Sequence, residues 1–124
     1  MFATSFIDLF FWLIVGHAVA DFPAQSAFLA TLKNHLKSAS LGLGEKVWPW
    51  GLFYHSMIHG GFVAYATGYV WIGMLEAIAH AVIDYNKSAG RFGKNSFHID
   101  QWLHIGCKVV WAVLALSVGK LTAE

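Results

Sequence analysis

Four long apolar stretches, at about residues 5–22, 50–67, 69–85 and 99–120, fill most of this 124-residue chain. Their lengths lie near the roughly 17–25 residues that a helix needs to cross a bilayer. The chain is 57% hydrophobic and 12% charged, whereas an ordinary soluble domain carries about 25% charged residues. A soluble globule this short would have too little polar side chain to cover its apolar side chains, so lipid is the expected solvent. The expected fold is all-α: one integral membrane domain over residues 1–124, built as a four-transmembrane-helix bundle. A formal net charge of +1 argues against nucleic acid as a partner, and with Cys107 as the single cysteine no intrachain disulfide can form.

Ala18-Val19-Ala20 has the form of a signal-peptidase site, but residues 1–6 hold no Lys or Arg, and Asp8 and His17 suit an h-region poorly. The first stretch therefore reads as a retained transmembrane helix, with a cleaved signal as the alternative. Pro23 ends it and Pro49 precedes the second, at positions where proline is tolerated. A tight turn near Gly68 separates the second from the third. Lys33, Lys37 and Lys46 lie in the first loop, and Lys87, Arg91 and Lys94 in the third; Lys120 alone falls on the other face. The positive-inside rule then puts both basic loops in the cytoplasm and both termini outside. Trp48, Trp50, Tyr54, Tyr85 and Trp102 would ring the inner interface, and Tyr65, Tyr69 and Trp71 the outer one. Within the segment at about 24–48, Phe28, Leu29, Leu32 and Leu36 share one helical face opposite Lys33, Asn34 and Lys37. This predicts a short amphipathic interfacial helix, lying in the headgroups or packed on the bundle's end.

The chain repeats itself. His17-Ala18-Val19-Ala20-Asp21-Phe22 closes the first stretch and His80-Ala81-Val82-Ile83-Asp84-Tyr85 the third; His55 and His59 open the second, and Asp100 and His104 the fourth. Each half is a helical hairpin of like orientation, which two parallel repeats about an axis along the membrane normal would produce. All four stretches thus carry two candidate ligands four residues apart, on one helical face. Given the topology, all eight come to similar depth near the inner interface, and inward His and carboxylates from facing helices are a way to build a metal site in a bundle.

Energetics favour the same reading. An ionisable group inside a membrane span costs roughly 2.5–3.5 kcal/mol on insertion scales and needs a partner. A divalent cation compensates several at once. The predicted metal ligands are His17, Asp21, His55, His59, His80, Asp84, Asp100 and His104, enough for two ions. Mixed imidazole and carboxylate donors suit zinc first, then iron, manganese or nickel. The plainer alternative for any one pair is a hydrogen-bonded packing residue or a proton relay. Cys107 lies one turn beyond His104, where it lines the site or acts as a small hydrophobe. His35 and His98 have no such partner and read as surface loop residues. Glu76 and Lys108 lie one turn deeper than His80 and His104. They read as a buried ion pair, or catalytically as a general base with an electrophilic lysine. Gln25, Lys87 and Gln101 flank the ligands as candidate substrate-binding groups.

The ordered set resembles the family of small bacterial and phage membrane proteins called domain of unknown function 3307. The resemblance rests on His17-x-x-x-Asp21-Phe22 with Gln25, on His55 and His59, on His80-x-x-x-Asp84-x-x-Lys87, and on Asp100-Gln101-x-x-His104. It implies a four-helix membrane protein, often phage-borne, with no activity attached, and the location expected for this chain is the bacterial inner membrane. A more distant similarity is to His-rich membrane proteins labelled metal-dependent hydrolases. Three readings follow: a metal-dependent hydrolase at the membrane interface, a metal or proton conduit built from a homo-oligomer, and a non-enzymatic phage or bacterial membrane factor with a structural metal.

Overall fold

The computed structural model describes residues 5–121. Residues 1–4, weighed above as a signal n-region, and the side chain of Lys120, counted above on the outer face, lie outside the described residues. Every regular element among the described residues is helical: α1 (Phe6–Asp21), α2 (Ala27–Leu32), α3 (Trp48–Thr67), α4 (Val70–Ser88) and α5 (Ser96–Leu121), with single 3-10 turns at Ser38–Leu41 and Gly93–Asn95. Ser5 caps α1 by accepting the Asp8 amide on its hydroxyl. Gly68, at φ 78°, ends α3 in the left-handed conformation that lets the chain reverse directly into α4.

Four of the helices form a ring in which α1 packs on α3 and α5, and α4 packs on α3 and α5. The closest pair is α3 with α4. A Cβ on Gly60 would lie 2.5 Å from the Gly73 carbonyl oxygen, and one on Gly73 2.4 Å from that of Gly60 and 2.7 Å from Ala64 Cβ. Small residues at four-residue spacing, Gly60 with Ala64 and Gly73 with Ala77, let the two backbones touch.

The interior is divided by level. Leu9, Leu13, Val63, Ile72, Trp111 and Ala112 form an apolar core at one end. At the other end the buried side chains are His17, His55, His59, His80, Asp84, Asp100 and His104, with Glu76 and Lys108 between the two levels. The exterior is the reverse: Ile7, Tyr65, Val70 and Trp102 are 71–82% exposed. Among the described residues, one helix, Gly93–Gly119, is long and apolar enough by composition to cross a membrane.

Several local expectations change. The interfacial helix stops at Leu32, and Leu36 lies beyond it, exposed. The cause is Asn34, whose side-chain oxygen accepts the Leu36 amide and offers the backbone a turn instead of another helical bond. Pro49 stands inside the first turn of α3, where its missing N–H costs nothing. Helix α4 runs through Lys87 to Ser88, and α5 begins at Ser96, so His98 is exposed on a helix and not in a loop. His35 is no surface residue. It is half-buried and stacks on Tyr85 at 4.3 Å between ring centres, with Trp48 at its edge. Trp48 and Tyr85 therefore help to seat the α2 segment on the bundle.

Candidate metal centre

Helical periodicity places each four-residue pair on one face, and the ring of helices turns those faces together. The eight side chains expected as ligands converge at one end of the bundle. Asp21, on the last turn of α1, puts Oδ1 3.0 Å from His59 Nε2 and 3.6 Å from His55 Nε2, and Oδ2 3.2 Å from His17 Nε2. His55 and His80 face each other Nε2 to Nε2 at 3.1 Å. The His59 and His80 rings stack at 3.6 Å, which the Gly60–Gly73 contact permits. Asp84 reaches two ways: Oδ2 lies 3.5 Å from both His55 and His80 Nε2, and Oδ1 lies 3.4 Å from His104 Nε2. Asp100 Oδ1 also lies 3.4 Å from His104 Nε2.

These distances suit a cation. A tetrahedral ion with bonds of about 2.0–2.1 Å holds its ligand atoms about 3.3–3.4 Å apart. Three groups of side chains bring ligand atoms within 4.8 Å of one another: Asp21, His55, His59 and His80; His17, His80 and His104; and Asp84, Asp100 and His104. The first and third share no residue and together use seven of the eight. The second competes with each of them, through His80 and His104.

Many of these donors lack an ordinary partner. Among the described residues, both ring nitrogens of His17, His59 and His104 are buried without an aligned hydrogen bond, as are Nδ1 of His55 and His80 and Oδ1 of Asp100. Buried polar atoms are otherwise nearly always hydrogen-bonded, and an orphan costs about 1–3 kcal/mol. A cation would use several of these atoms at once.

The remaining predicted residues surround this cluster. Lys108 Nζ donates to Glu76 Oε1 at 2.5 Å and Trp111 Nε1 to Oε2 at 2.5 Å, so both carboxylate oxygens are engaged. Glu76 Oε1 is also 3.5 Å from His80 Nδ1 and closes the cluster on its apolar side. Trp111 was not anticipated, although it lies one turn from Lys108 on the same face. At the open end, Lys87 Nζ donates to Asp100 Oδ2 at 2.8 Å. Gln101 Nε2 donates to Asp21 Oδ2 and Asp100 Oδ2, each at 3.2 Å, while Gln25 Nε2 donates to the Asp21 backbone oxygen. The unexpected participant is Lys33, whose Nζ donates to Asp84 Oδ2 at 2.5 Å. It was expected on the polar face of an interfacial helix. A Cβ on Gly51 would meet the Lys33 amide nitrogen at 2.8 Å, so that glycine lets α2 close onto α3 and deliver the lysine. Cys107 is half-buried against the apolar core and joins none of the three ligand groups.

A larger groove, about 780 Å³, runs between α1 and α3 past Trp12, Phe62 and Tyr65, with Asp8 the carboxylate among its lining residues. The chemistry-bearing side chains are elsewhere, in the His/Asp cluster.

Comparison with curated proteins and with solved structures finds no match. The model of one family, described as "Protein of unknown function (DUF3307)", matches residues 9–123. With the match running over nearly the whole chain, cluster included, the protein belongs to the DUF3307 family.

Proposed function

We propose that the chain is a multi-pass protein of the bacterial inner membrane that holds two divalent transition-metal ions, zinc foremost, and hydrolyses an ester or phosphoester at the cytoplasmic interface. The observation that carries the metal reading is the pair of ligand groups that share no residue, linked by the two oxygens of Asp84. In this reading Asp21, His55, His59 and His80 hold one ion, and Asp84, Asp100 and His104 hold the other. Such an ion would supply Lewis acidity toward a carbonyl or phosphoryl oxygen. The chain's own residues do the rest. His17 orients Asp21. Glu76, itself held by Lys108 and Trp111, faces His80 Nδ1 and leaves Nε2 turned to the cluster, a positioning role of the kind outer carboxylates play for ligating imidazoles. Gln25, Lys87 and Gln101 border the opening through which substrate would enter.

The membrane reading draws on the inverted distribution of side chains, with ionisable groups inside and large apolar ones outside. Polar residues inside a span that face the bundle interior and one another follow the rule for membrane helices. Helix α1 falls short of a full span in length, at 16 residues, and not for want of apolar side chains. The apolar core at Leu13, Val63 and Ile72 seals the bundle beyond Glu76, which argues against a conduit through a single chain.

Metal analysis of detergent-purified protein that has never met a chelator tests the first claim. The expected result is up to two transition-metal ions per chain, with a melting temperature that falls on chelation and returns on metal addition. Purified protein with no transition metal and no response to added metal overturns it. For the second claim, single cysteines at positions 37 and 91, introduced after Cys107→Ala, should label from the same side of sealed vesicles, and one at position 65 from the other side. Labelling of 37 and 91 from opposite sides overturns the topology.

A further inference from the structure

We propose that the mouth of the cluster is a receptor for a phosphoryl oxyanion, gripped by Lys33 and Lys87 with Gln25 and Gln101, and opened to that anion by metal binding. The inference rests on the metal-site reading above and names the class of ligand that the site takes.

The mouth is a cavity of about 70 Å³ whose walls include those four residues together with Asp84 and Asp100. A single water needs roughly 10–15 Å³ on this measure, so the cavity has room for several waters or one tetrahedral oxyanion. The donors are brought in from separate elements: Lys33 from the end of α2, Lys87 from the last turn of α4, Gln101 from α5 and Gln25 from the α1–α2 turn. No single element would produce this convergence by its own amphipathic pattern.

Both ammonium groups presently hold carboxylates of the cluster, Lys33 on Asp84 Oδ2 at 2.5 Å and Lys87 on Asp100 Oδ2 at 2.8 Å. Those oxygens belong to two of the residues that a cation would claim. A cation bound to Asp84 and Asp100 therefore displaces the lysines in two ways, by taking the lone pairs and by like-charge repulsion. Both side chains sit at the wall of the mouth on flexible four-carbon stems, and a strongly hydrated ammonium that loses its carboxylate needs a new anion or water.

The charge balance gives the order of events. Three aspartates, Asp21, Asp84 and Asp100, face two lysines around the mouth, which leaves it one charge negative and repels an anion. One divalent ion turns this to net positive, and a second strengthens it. Phosphate is the oxyanion that best fits two ammonium groups and two amide donors, because it offers several acceptor oxygens and more than one negative charge. Gln25 also keeps Oε1 buried and unbonded among the described residues, an acceptor suited to the hydroxyl of a monoprotonated phosphate. The phosphoryl group is shared by free phosphate and lipid headgroups, and Phe22 and Phe97 at the rim are 62% and 54% exposed, an apolar lip beside a polar hole.

The test uses the full-length protein in a neutral detergent, zinc-loaded or chelator-stripped, with zinc content measured in every sample. The probes are inorganic phosphate and dihexanoyl phosphatidic acid below its micellar concentration, each titrated calorimetrically. The proposal expects at least one probe to bind the zinc-loaded protein and neither to bind the stripped protein. Binding of phosphate alone identifies a free-phosphate site, and binding of the phosphatidic acid identifies a headgroup site. The double variant Lys33→Gln with Lys87→Gln should keep its zinc and weaken the anion by at least about tenfold. Equal binding by stripped protein, or undiminished binding by the zinc-loaded double variant, overturns the proposal. Zinc held with neither probe bound overturns it too, while leaving the metal site intact. Failure to hold zinc at all removes the metal-site reading and this proposal with it.

Discussion

His55 and His80, from adjacent helices, meet nitrogen to nitrogen, Nε2 to Nε2 at 3.1 Å, with both rings fully buried. Only one of two neutral imidazoles can donate across that gap, and the Asp84 and Asp21 oxygens around them stand at 3.5 and 3.6 Å, at the edge of hydrogen-bond range. One hydrogen bond between two imidazoles, with carboxylates on either side at the edge of range and, among the described residues, both Nδ1 atoms unpartnered, makes a sparse hydrogen-bond network and a good cation cradle.

If two ions are held by the groups that share no residue, substitution should separate them. His59→Ala is expected to remove about one metal per chain, and so is Asp100→Ala, with the double variant losing both. His104→Ala should resemble Asp100→Ala and should lower the melting temperature along with the metal, because binding energy is linked to folding. Elemental analysis of detergent-purified variants provides the count. Loss of all metal from either single variant would mean one cooperative cluster instead of two sites.

The deep ion pair makes a prediction about the sign of a double-mutant cycle. Lys108 and Glu76 are 1% exposed or less. Lys108→Met leaves the Glu76 carboxylate with Trp111 and His80 only, and removing one partner of a buried pair costs about 3–5 kcal/mol. Adding Glu76→Gln removes the orphaned charge, so the double variant should melt above Lys108→Met. Thermal melts in one detergent decide it. A double variant less stable than Lys108→Met would show that the carboxylate has a role of its own.

The features of this molecule that repeat with helical period were legible in the sequence. Four apolar stretches matched the helices to within a few residues, since length and apolar content decide where a helix can be buried. The four-residue spacings from His17/Asp21 to Asp100/His104 put each pair on one face whatever the tertiary structure, and Glu76 and Lys108 met because both lay one turn beyond neighbouring histidines. Relationships set by long-range packing were not legible. Lys33 and Asp84 are 51 positions apart, and their bond depends on α2 closing over Gly51. Asn34, read as one more polar residue on a helical face, ended that helix by bonding the Leu36 amide. The two-way reach of Asp84 depends on the rotation of α4 about its axis, to which a four-residue spacing is indifferent.

The α3–α4 contact gives a paired test with an internal control. An added methyl on Gly73 collides with the Gly60 carbonyl at 2.4 Å, so Gly73→Ala must push the helices apart and unstack His59 from His80. Overpacking costs about 1–3 kcal/mol. The expected result is a lower melting temperature together with a lower metal content. Gly61→Ala points into open space on the same helix as Gly60, and should leave metal unchanged and stability equal or slightly higher, as alanine is the better helix former. Equal behaviour of the two variants would mean that close approach of α3 and α4 does not set the cluster's geometry.

Lys33 competes with metal for Asp84, and this fixes the direction of its effect. Its ammonium holds Oδ2 at 2.5 Å, and a hydrogen bond to a charged group is worth about 1.5–3 kcal/mol. Lys33→Met should destabilise the stripped protein by leaving Asp84 buried without its cation. The loaded protein should change much less, because there the metal neutralises the carboxylate. The two effects together require tighter zinc binding in the variant, by roughly tenfold or more if the bond is lost in full. Competition with a chelator of known affinity gives the zinc constant, and melts of stripped and loaded samples give the two stabilities. Weaker zinc binding in Lys33→Met would reverse the assignment, making the lysine a support for the occupied site instead of a rival for its aspartate.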